Sequence, residues 1–128
     1  MFYGESVWSD NWNKWFTKEV SYVDQDLRQL DDQDNKVTQL VYEELRNGSD
    51  FDLLTVHLIG LDHAGHTFGP QHPELQRKLL ETGAVIEKII ELMDEQTTLV
   101  VFGDHGMTEG GSHGGNSDVE MSTVLFSY

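Results

Sequence analysis

Two apolar stretches of the chain each break into a loop rich in glycine and histidine. The first, Asp52–Leu61, is a nearly continuous run of Leu, Val and Ile, which is typical of a strand covered on both faces, as in a parallel sheet. The second, Thr97–Phe102, has the same character. Between them, apolar residues recur at helical spacing and predict a long helix over Pro73–Asp94, with Lys78 on its solvated side. Strand, helix and strand together predict a βαβ unit with two parallel neighbouring strands.

Three further elements follow from the same kind of pattern. Lys36–Asn47 has an apolar helical face and ends at Asn47-Gly48, a helix stop that, with Ser49, is also a glycosylation acceptor pattern. Trp8, Trp12 and Trp15 fall on one face of a predicted helix. Packing against the core is favoured for that face over contact with a membrane or substrate. The last seven residues, STVLFSY, predict a strand.

Composition and charge exclude some classes of function. The 128 residues carry a formal net charge of −15, which disfavours direct binding to nucleic acid or to anionic lipid surfaces. Cysteine is absent, so no disulfide and no thiolate metal site can form. No apolar run is long enough to span a bilayer. The acidic run from Asp24 to Asp34 predicts a solvated loop in preference to a calcium loop. Because the chain stops inside a predicted strand, we expect it to be part of a longer domain.

The loops after the two apolar stretches hold the candidate chemistry. Ligands of open parallel sheets bind beyond the carboxyl ends of the strands, which is where these loops lie. Carboxylate and imidazole are natural zinc ligands, and side chains four residues apart can point the same way. The predicted metal ligands are Asp62, His66, Asp104, His105 and His113. The other histidines, His57, His63 and His72, are predicted to pack, cap or hydrogen-bond.

Two zinc ions that share a site suit phosphoryl transfer, because they stabilise the attacking and leaving oxygens together. The sequence offers no recognisable nucleophile. Thr108 and Ser112 lie near the predicted ligands but not on a nucleophile turn. A Gly-rich phosphate loop with a lysine is absent, which disfavours a nucleotide-triphosphate enzyme.

The motifs GLDHAGHTFGPQHPEL, GDHGM and GSHGG, in this order, resemble those of the alkaline-phosphatase superfamily. Within it the chain is most similar to the glycosylphosphatidylinositol (GPI) ethanolamine-phosphate transferases. The motifs GPQHPEL-x-x-K and HGGNSDVE resemble the O-type, third branch of that family. The resemblance covers about residues 35–128 strongly. Earlier it is loose, because Gly4-Glu5-Ser6-Val7-Trp8 stands where the family tends to have Gly-Asp-Asp-Thr-Trp.

The resemblance implies an α/β fold, part of an alkaline-phosphatase-like domain with a mainly parallel sheet flanked by helices. Residues 1–128 would be the C-terminal portion of one such catalytic domain. It implies two zinc ions, one held by Asp62, His66 and His113 and the other by Asp104 and His105. It also implies a threonine nucleophile upstream of Met1, so that no catalytic nucleophile lies in this chain and the chain alone is inactive.

The same resemblance implies a reaction and a location. Phosphoethanolamine would pass from phosphatidylethanolamine to a mannose, the third, of the GPI precursor lipid. The catalytic domain would face the lumen of the endoplasmic reticulum and be joined to membrane spans outside this chain. A small membrane-protein subunit that stabilises the enzyme is a further implied partner, and nucleic acid is not. Three alternatives stay open, namely a related metal-dependent phosphodiesterase that hydrolyses, a non-catalytic metal-binding domain and an inactive paralogue.

Overall fold

The computed structural model describes residues 1–23, 26–48 and 50–128, which form two compact units, Met1–His63 and Ala64–Tyr128. The prediction of an acidic loop at Asp24 and the glycosylation pattern that needs Ser49 fall outside the described residues. Within the described part of the chain, none of the helices combines the length and the apolar character that a bilayer span requires.

The first unit is built on a three-stranded parallel sheet. Its strands are β1 (Phe2–Glu5), β2 (Glu19–Tyr22) and β3 (Thr55–Val56), in the order β2-β1-β3. Phe2 lies opposite Glu19 on one side and opposite Thr55 on the other. The central strand carries the core, because Phe2 and Tyr3 are both fully buried. The predicted α/β class with a parallel sheet is confirmed.

The tryptophan stripe lies on the surface of the first unit. Helix α1 (Ser6–Trp12) is followed by a 3₁₀ turn, Asn13–Trp15, and only Ser9 of α1 is buried. Trp8, Trp12 and Trp15 are 40%, 56% and 81% exposed. The prediction that they pack against the core of this unit is wrong. The helix also changes from α to 3₁₀ geometry after Trp12. Because the prediction assumed one continuous α-helix, Trp15 does not lie on the predicted face.

Helix α2 (Asp32–Asn47) confirms the helix predicted over Lys36–Asn47 and begins four residues earlier. It packs against β1, and its buried positions are Asp34, Val37, Val41 and Glu44. These positions are three or four residues apart, so they share one face. Asp34 is therefore a buried helix residue, and the prediction of a solvated loop is wrong there. Gly48 ends the helix with φ 61°, in the left-handed region that favours glycine.

The buried carboxylate of Glu44 is paired with two donors in the first unit. The phenol of Tyr3 donates a hydrogen bond to Glu44, and Lys18 forms an ion pair with the same carboxylate. Burial and the Glu44 hydrogen bond raise the pKa of Tyr3. The hydrogen bond to Glu44 raises the pKa of Lys18. A carboxylate thus enters the apolar contact between α2 and β1 at little cost, because two donors satisfy it.

The second unit contains the long predicted helix, α4 (Pro73–Leu92), which begins at Pro73 as the sequence predicts. His72 is its N-cap, and its Nδ1 atom accepts a hydrogen bond from the Glu74 N–H at 3.2 Å. Lys78 was predicted on the solvated side but is only 1% exposed. Its ammonium group lies 3.3 Å from Glu81, and this neutralising partner one turn away allows a lysine to be buried.

The remaining elements of this unit are β4 (Val100–Phe102), α5 (Asp118–Met121) and β5 (Leu125–Ser127). The last confirms the strand predicted from STVLFSY. Strand β4 pairs antiparallel with β5, with Val101 opposite Phe126. The predicted pairing of β4 with the strand before α4 is wrong, because β3 contributes two residues to the sheet around β1 and the chain returns through α5 to pair with β4. One more helix, α3 (Gly60–Phe68), begins in the first unit and ends in the second.

Candidate metal site

The first group of candidate ligands lies on a helix where the sequence predicted the end of a strand and a loop. Strand β3 ends at Val56, and α3 begins at Gly60. The Asp34 carboxylate accepts hydrogen bonds from the N–H groups of Ile59, at 2.9 Å, and Gly60, at 3.2 Å. Helix starts leave such N–H groups without intrahelical partners. A cap supplied by a residue 26 positions away is invisible to a local pattern, which is why the helix was missed.

Asp62 and His66 are four residues apart on α3 and therefore share one side of the helix. Asp62 is half-buried in the part of α3 that belongs to the first unit. In the second unit, the Nδ1 atom of His66 lies 2.6 Å from the carbonyl oxygen of Gly111. A carbonyl only accepts, so Nδ1 carries the proton and Nε2 presents a lone pair.

Asp104 and His105 follow β4, which ends at Phe102, with Gly103 between. The backbone N–H of His105 donates to the Asp104 carboxylate at 3.1 Å, and His105 Nδ1 lies 2.9 Å from the carbonyl oxygen of Gly106. His105 Nε2 is therefore the lone-pair nitrogen, and it lies 3.7 Å from Asp104 Oδ2. Adjacent residues of a strand point to opposite faces, but β4 ends before Asp104, so the two side chains can approach the same point.

His113 is presented by a tight loop. The Thr108 hydroxyl donates to the Ser112 carbonyl oxygen at 3.0 Å and accepts from the Ser112 N–H at 3.1 Å. Gly111, at φ 72°, completes the turn, and its N–H donates to the Thr108 carbonyl oxygen at 3.0 Å. The Thr108 hydroxyl thus closes the loop through its two hydrogen bonds to Ser112.

Three imidazole rings of the second unit come together around His113. The centroids of the His66 and His113 rings are 4.9 Å apart, and those of His105 and His113 are 3.7 Å apart. A ring nitrogen of His105 and one of His113 lie within 4.8 Å of each other. The three rings thus lie close together, although His66 is on a helix, His105 follows a strand and His113 is in a loop.

This arrangement fits zinc. Zinc binds imidazole nitrogens and carboxylate oxygens at about 2.1 Å in tetrahedral geometry, so neighbouring ligand atoms lie about 3.4 Å apart. The 3.7 Å between Asp104 Oδ2 and His105 Nε2 is close to that spacing. Backbone carbonyls occupy Nδ1 of His66 and of His105, which is how proteins fix ligand histidines in the metal-binding tautomer.

The histidines predicted to be structural are so. His63 is 2% exposed, and its Nδ1 atom lies 3.3 Å from the Gln29 carbonyl oxygen. His72 caps α4. His57 packs edge-on against Trp8, with the ring centroids 5.7 Å apart. Each therefore has a local role that needs no metal.

Two supporting residues escaped the sequence reasoning. Gly111 acts through its carbonyl oxygen, which no side-chain pattern reveals. Glu120 hydrogen-bonds Gly115 and Ser117, and the Ser117 hydroxyl, followed by the Gly115 N–H, lowers the pKa of that carboxyl. Ser117 and Glu120 form a capping box at the start of α5. The S-x-x-E spacing is the one sequence signal that could have singled out Glu120.

Comparison with known families places this site in context. The family model of type I phosphodiesterases and nucleotide pyrophosphatases matches residues 2–124. The chain belongs to this family. The parallel sheet and flanking helices of the first unit are consistent with an alkaline-phosphatase-like phosphodiesterase domain.

The curated relatives of this chain have more specific names than the family model. It is 40% identical to the human GPI ethanolamine phosphate transferase 3, catalytic subunit, over 128 residues, which are all of this chain and 12% of the relative. It is 42% identical to the Schizosaccharomyces pombe transferase 3 over 95 residues, 74% of this chain and 10% of the relative. The human transferase 2, catalytic subunit, is 36% identical over 132 residues, covering 98% of this chain and 13% of the relative. The chain thus spans about an eighth of these relatives. No solved structure matches it.

Proposed function

We propose that the complete protein transfers phosphoethanolamine from phosphatidylethanolamine to a mannose of the GPI precursor, through a site that holds two zinc ions. The observation that carries the proposal is the 40% identity to human GPI ethanolamine phosphate transferase 3 over all 128 residues. Transferase 3 relatives from human and fission yeast support the O-type, third-mannose enzyme in preference to the second type. The clustered imidazoles of His66, His105 and His113 support the metal chemistry.

The proposed ligands are those that the sequence predicts. Asp62, His66 and His113 hold one zinc ion, and Asp104 and His105 hold the other. Two zinc ions, when bound, supply positive charge that favours ionisation of an attacking hydroxyl and stabilises the oxygens of the phosphoryl group in transfer.

Backbone hydrogen bonds hold the rings of two proposed ligands, so that their Nε2 atoms keep one orientation during the reaction. The Gly111 carbonyl holds the Nδ1 proton of His66, and the Gly106 carbonyl holds that of His105, so neither ring rotates when charge develops nearby.

The proposed reaction has two steps, and both take place at a threonine that lies outside the 128 residues. In the first, the threonine oxygen bonds to phosphorus, the bond from phosphorus to the diacylglycerol oxygen breaks, and diacylglycerol leaves with the proton. In the second, a mannose hydroxyl oxygen bonds to phosphorus, the bond from phosphorus to the threonine oxygen breaks, and the threonine leaves with the proton of the mannose hydroxyl. The 128 residues alone are therefore expected to be inactive.

Location and partners belong to the same proposal. The GPI precursor and phosphatidylethanolamine are membrane lipids, so the enzyme works at a membrane, with its catalytic domain in the lumen of the endoplasmic reticulum. The human relative is named a catalytic subunit, which supports a second, small membrane-protein subunit as the stabilising partner.

A hydrolytic phosphodiesterase is the second candidate, since the family model is named for phosphodiesterases. The experiment incubates the complete protein, purified in detergent micelles, with headgroup-labelled phosphatidylethanolamine and a mannose-containing GPI precursor. Label on the third mannose is the expected result. Free phosphoethanolamine without labelled acceptor supports the hydrolase, and zinc content without either product supports a structural metal.

A further inference from the structure

Helix α5 touches both loops that carry the candidate ligands of the second unit. The backbone carbonyl oxygen of Glu120 accepts a hydrogen bond from the N–H of Gly106 at 2.8 Å. The side-chain carboxylate of the same residue accepts one from the N–H of Gly115 at 2.9 Å. Gly106 directly follows His105, and Gly115 follows His113 by two residues. One residue therefore connects the two ligand loops.

The two loops approach α5 too closely for any side chain to intervene. A Cβ atom on Gly106 would lie 2.0 Å from the Val119 carbonyl oxygen, and one on Gly115 would lie 2.7 Å from the Glu120 carboxylate. Backbone therefore packs directly on backbone at one contact and on the Glu120 carboxylate at the other. The backbone contact at Gly106 leaves that loop little room to shift, whereas the position of the Gly115 loop depends on where the Glu120 carboxylate is held.

The Glu120 carboxylate is itself held in place. Its Oε2 atom accepts from the Ser117 hydroxyl and, at 3.4 Å, from the Ser117 N–H, while Oε1 accepts from Gly115. Ser117 thus orients one oxygen, and the other is left to hold the loop of His113. A capping role for Glu120 at α5 and a connecting role for it between the loops use different oxygens and can be separated.

We propose that Glu120 is a positioning residue for the metal site, whose backbone carbonyl and carboxylate together set the distance between His105 and His113. This rests on the proposed function, since it assumes that both histidines bind zinc. The Glu120 carboxylate is engaged by Gly115 and Ser117 and is not one of the proposed ligands. It acts by keeping two imidazoles at the separation that the metal pair requires, as hydrogen-bonding partners of metal ligands commonly do.

Three variants of the complete protein separate the two roles. Glu120→Ala removes both carboxylate oxygens. Glu120→Gln keeps one oxygen that can accept from Gly115 and serves as the conservative rescue. Ser117→Ala removes the capping hydroxyl and leaves the bond between Gly115 and Glu120. Thermal unfolding identifies any variant that fails to fold, and Glu120→Asp, whose shorter side chain draws the carboxylate back from Gly115, then replaces Glu120→Ala.

The measurement is zinc affinity by chelator competition, together with the visible absorption spectrum of the cobalt-substituted protein. We expect Glu120→Ala to lower zinc affinity by about 10–100-fold and to change the cobalt spectrum, as loss of a residue that orients ligands does. Glu120→Gln and Ser117→Ala should stay within about threefold of the wild type. Unchanged affinity in Glu120→Ala would overturn the proposal, and so would an equal loss in Ser117→Ala. A wild-type protein that binds no zinc would overturn the proposed function itself.

Discussion

The Nδ1 atom of His66 is hydrogen-bonded at 2.6 Å to the carbonyl oxygen of Gly111, 45 residues further along the chain. The loop that presents His113 therefore also sets the tautomer of a histidine on α3. Gly111 can do this because it is buried, has φ 72° and lies so near α3 that a Cβ atom would stand 2.5 Å from the Gly65 carbonyl oxygen. One backbone position thus links two candidate ligands.

We expect Gly111→Ala to weaken zinc binding by about 10–100-fold, the usual cost of removing the group that orients a ligand histidine. The added methyl group must push the loop away from Gly65, which breaks the hydrogen bond to His66. Zinc affinity measured by chelator competition checks this in the complete protein. Nitrogen NMR of the His66 ring provides a second readout, because the tautomer should no longer be fixed.

Gly114→Ala is the matched control for that prediction. Gly114 also has positive φ, 94°, but a Cβ atom there would have no neighbour within 4 Å. It carries the same kind of backbone strain, of order 1 kcal/mol, without the collision. If Gly114→Ala weakened zinc binding as much as Gly111→Ala, strain in the loop and not the contact with α3 would be the cause.

Removing the carboxylate of Asp34 should destabilise the start of α3. Asp34→Ala leaves the N–H groups of Ile59 and Gly60 without this acceptor, at a cost of about 1–3 kcal/mol in the free energy of unfolding. Asp34→Asn, which keeps one oxygen, should lose less. Asp32→Ala is the control, because Asp32 is exposed in the same first turn of α2. Urea denaturation gives the three values, and equal losses at both positions would refute the capping role.

The local sequence pattern was enough to predict the elements that are stabilised by residues near to them in sequence. Helix α4 begins at Pro73 and caps on His72 within its own sequence, and its apolar spacing continues for five turns. Strand β4 is an uninterrupted apolar run. The candidate ligands Asp104, His105 and His113 could be singled out because aspartate and histidine between glycines in a loop have no packing role of their own.

The predictions that failed include those for elements that depend on residues far away in sequence. The start of α3 needs Asp34 from another helix, and two glycines within α3 argued against helix on propensity alone. The pairing of β4 depended on which of several apolar strands returned beside it, which no spacing encodes. The tryptophan stripe showed helical periodicity, but the winding changed after Trp12. In the first two cases tertiary context overrode a local preference.

Stability should fall at alkaline pH because of Tyr3 and Lys18. Both groups have a pKa raised in the folded state, Tyr3 through burial and the Glu44 hydrogen bond, and Lys18 through its hydrogen bond to Glu44. A group whose pKa is raised on folding contributes its full stability below its unfolded pKa and loses it as pH rises towards the folded pKa. The loss should therefore begin near pH 10, the ordinary pKa of both groups.

Tyr3→Phe removes one of the two contributions and should make the decline of unfolding free energy above about pH 10 shallower. Denaturant unfolding at a series of pH values, with tyrosinate absorbance recorded in parallel, measures both the decline and the ionisation. Tyr128→Phe is the control, since Tyr128 is 67% exposed. An alkaline decline that is the same in Tyr3→Phe as in the wild type would show that the phenol is not responsible.

His113→Ala should abolish zinc-dependent activity of the complete protein and lower its zinc content by one ion, because His113 stands between the rings of His66 and His105. His57→Ala is the comparison, since the His57 ring packs on Trp8. The Cβ atom of His57 is also close to Gly4, where an added Cβ would lie 2.6 Å from it. That variant should keep its zinc and its turnover, with a lower unfolding temperature. Metal analysis, transfer assays and thermal unfolding on both variants decide the matter. Normal turnover in His113→Ala would refute the ligand assignment, and a zinc defect in His57→Ala would show that the two kinds of histidine had been wrongly separated.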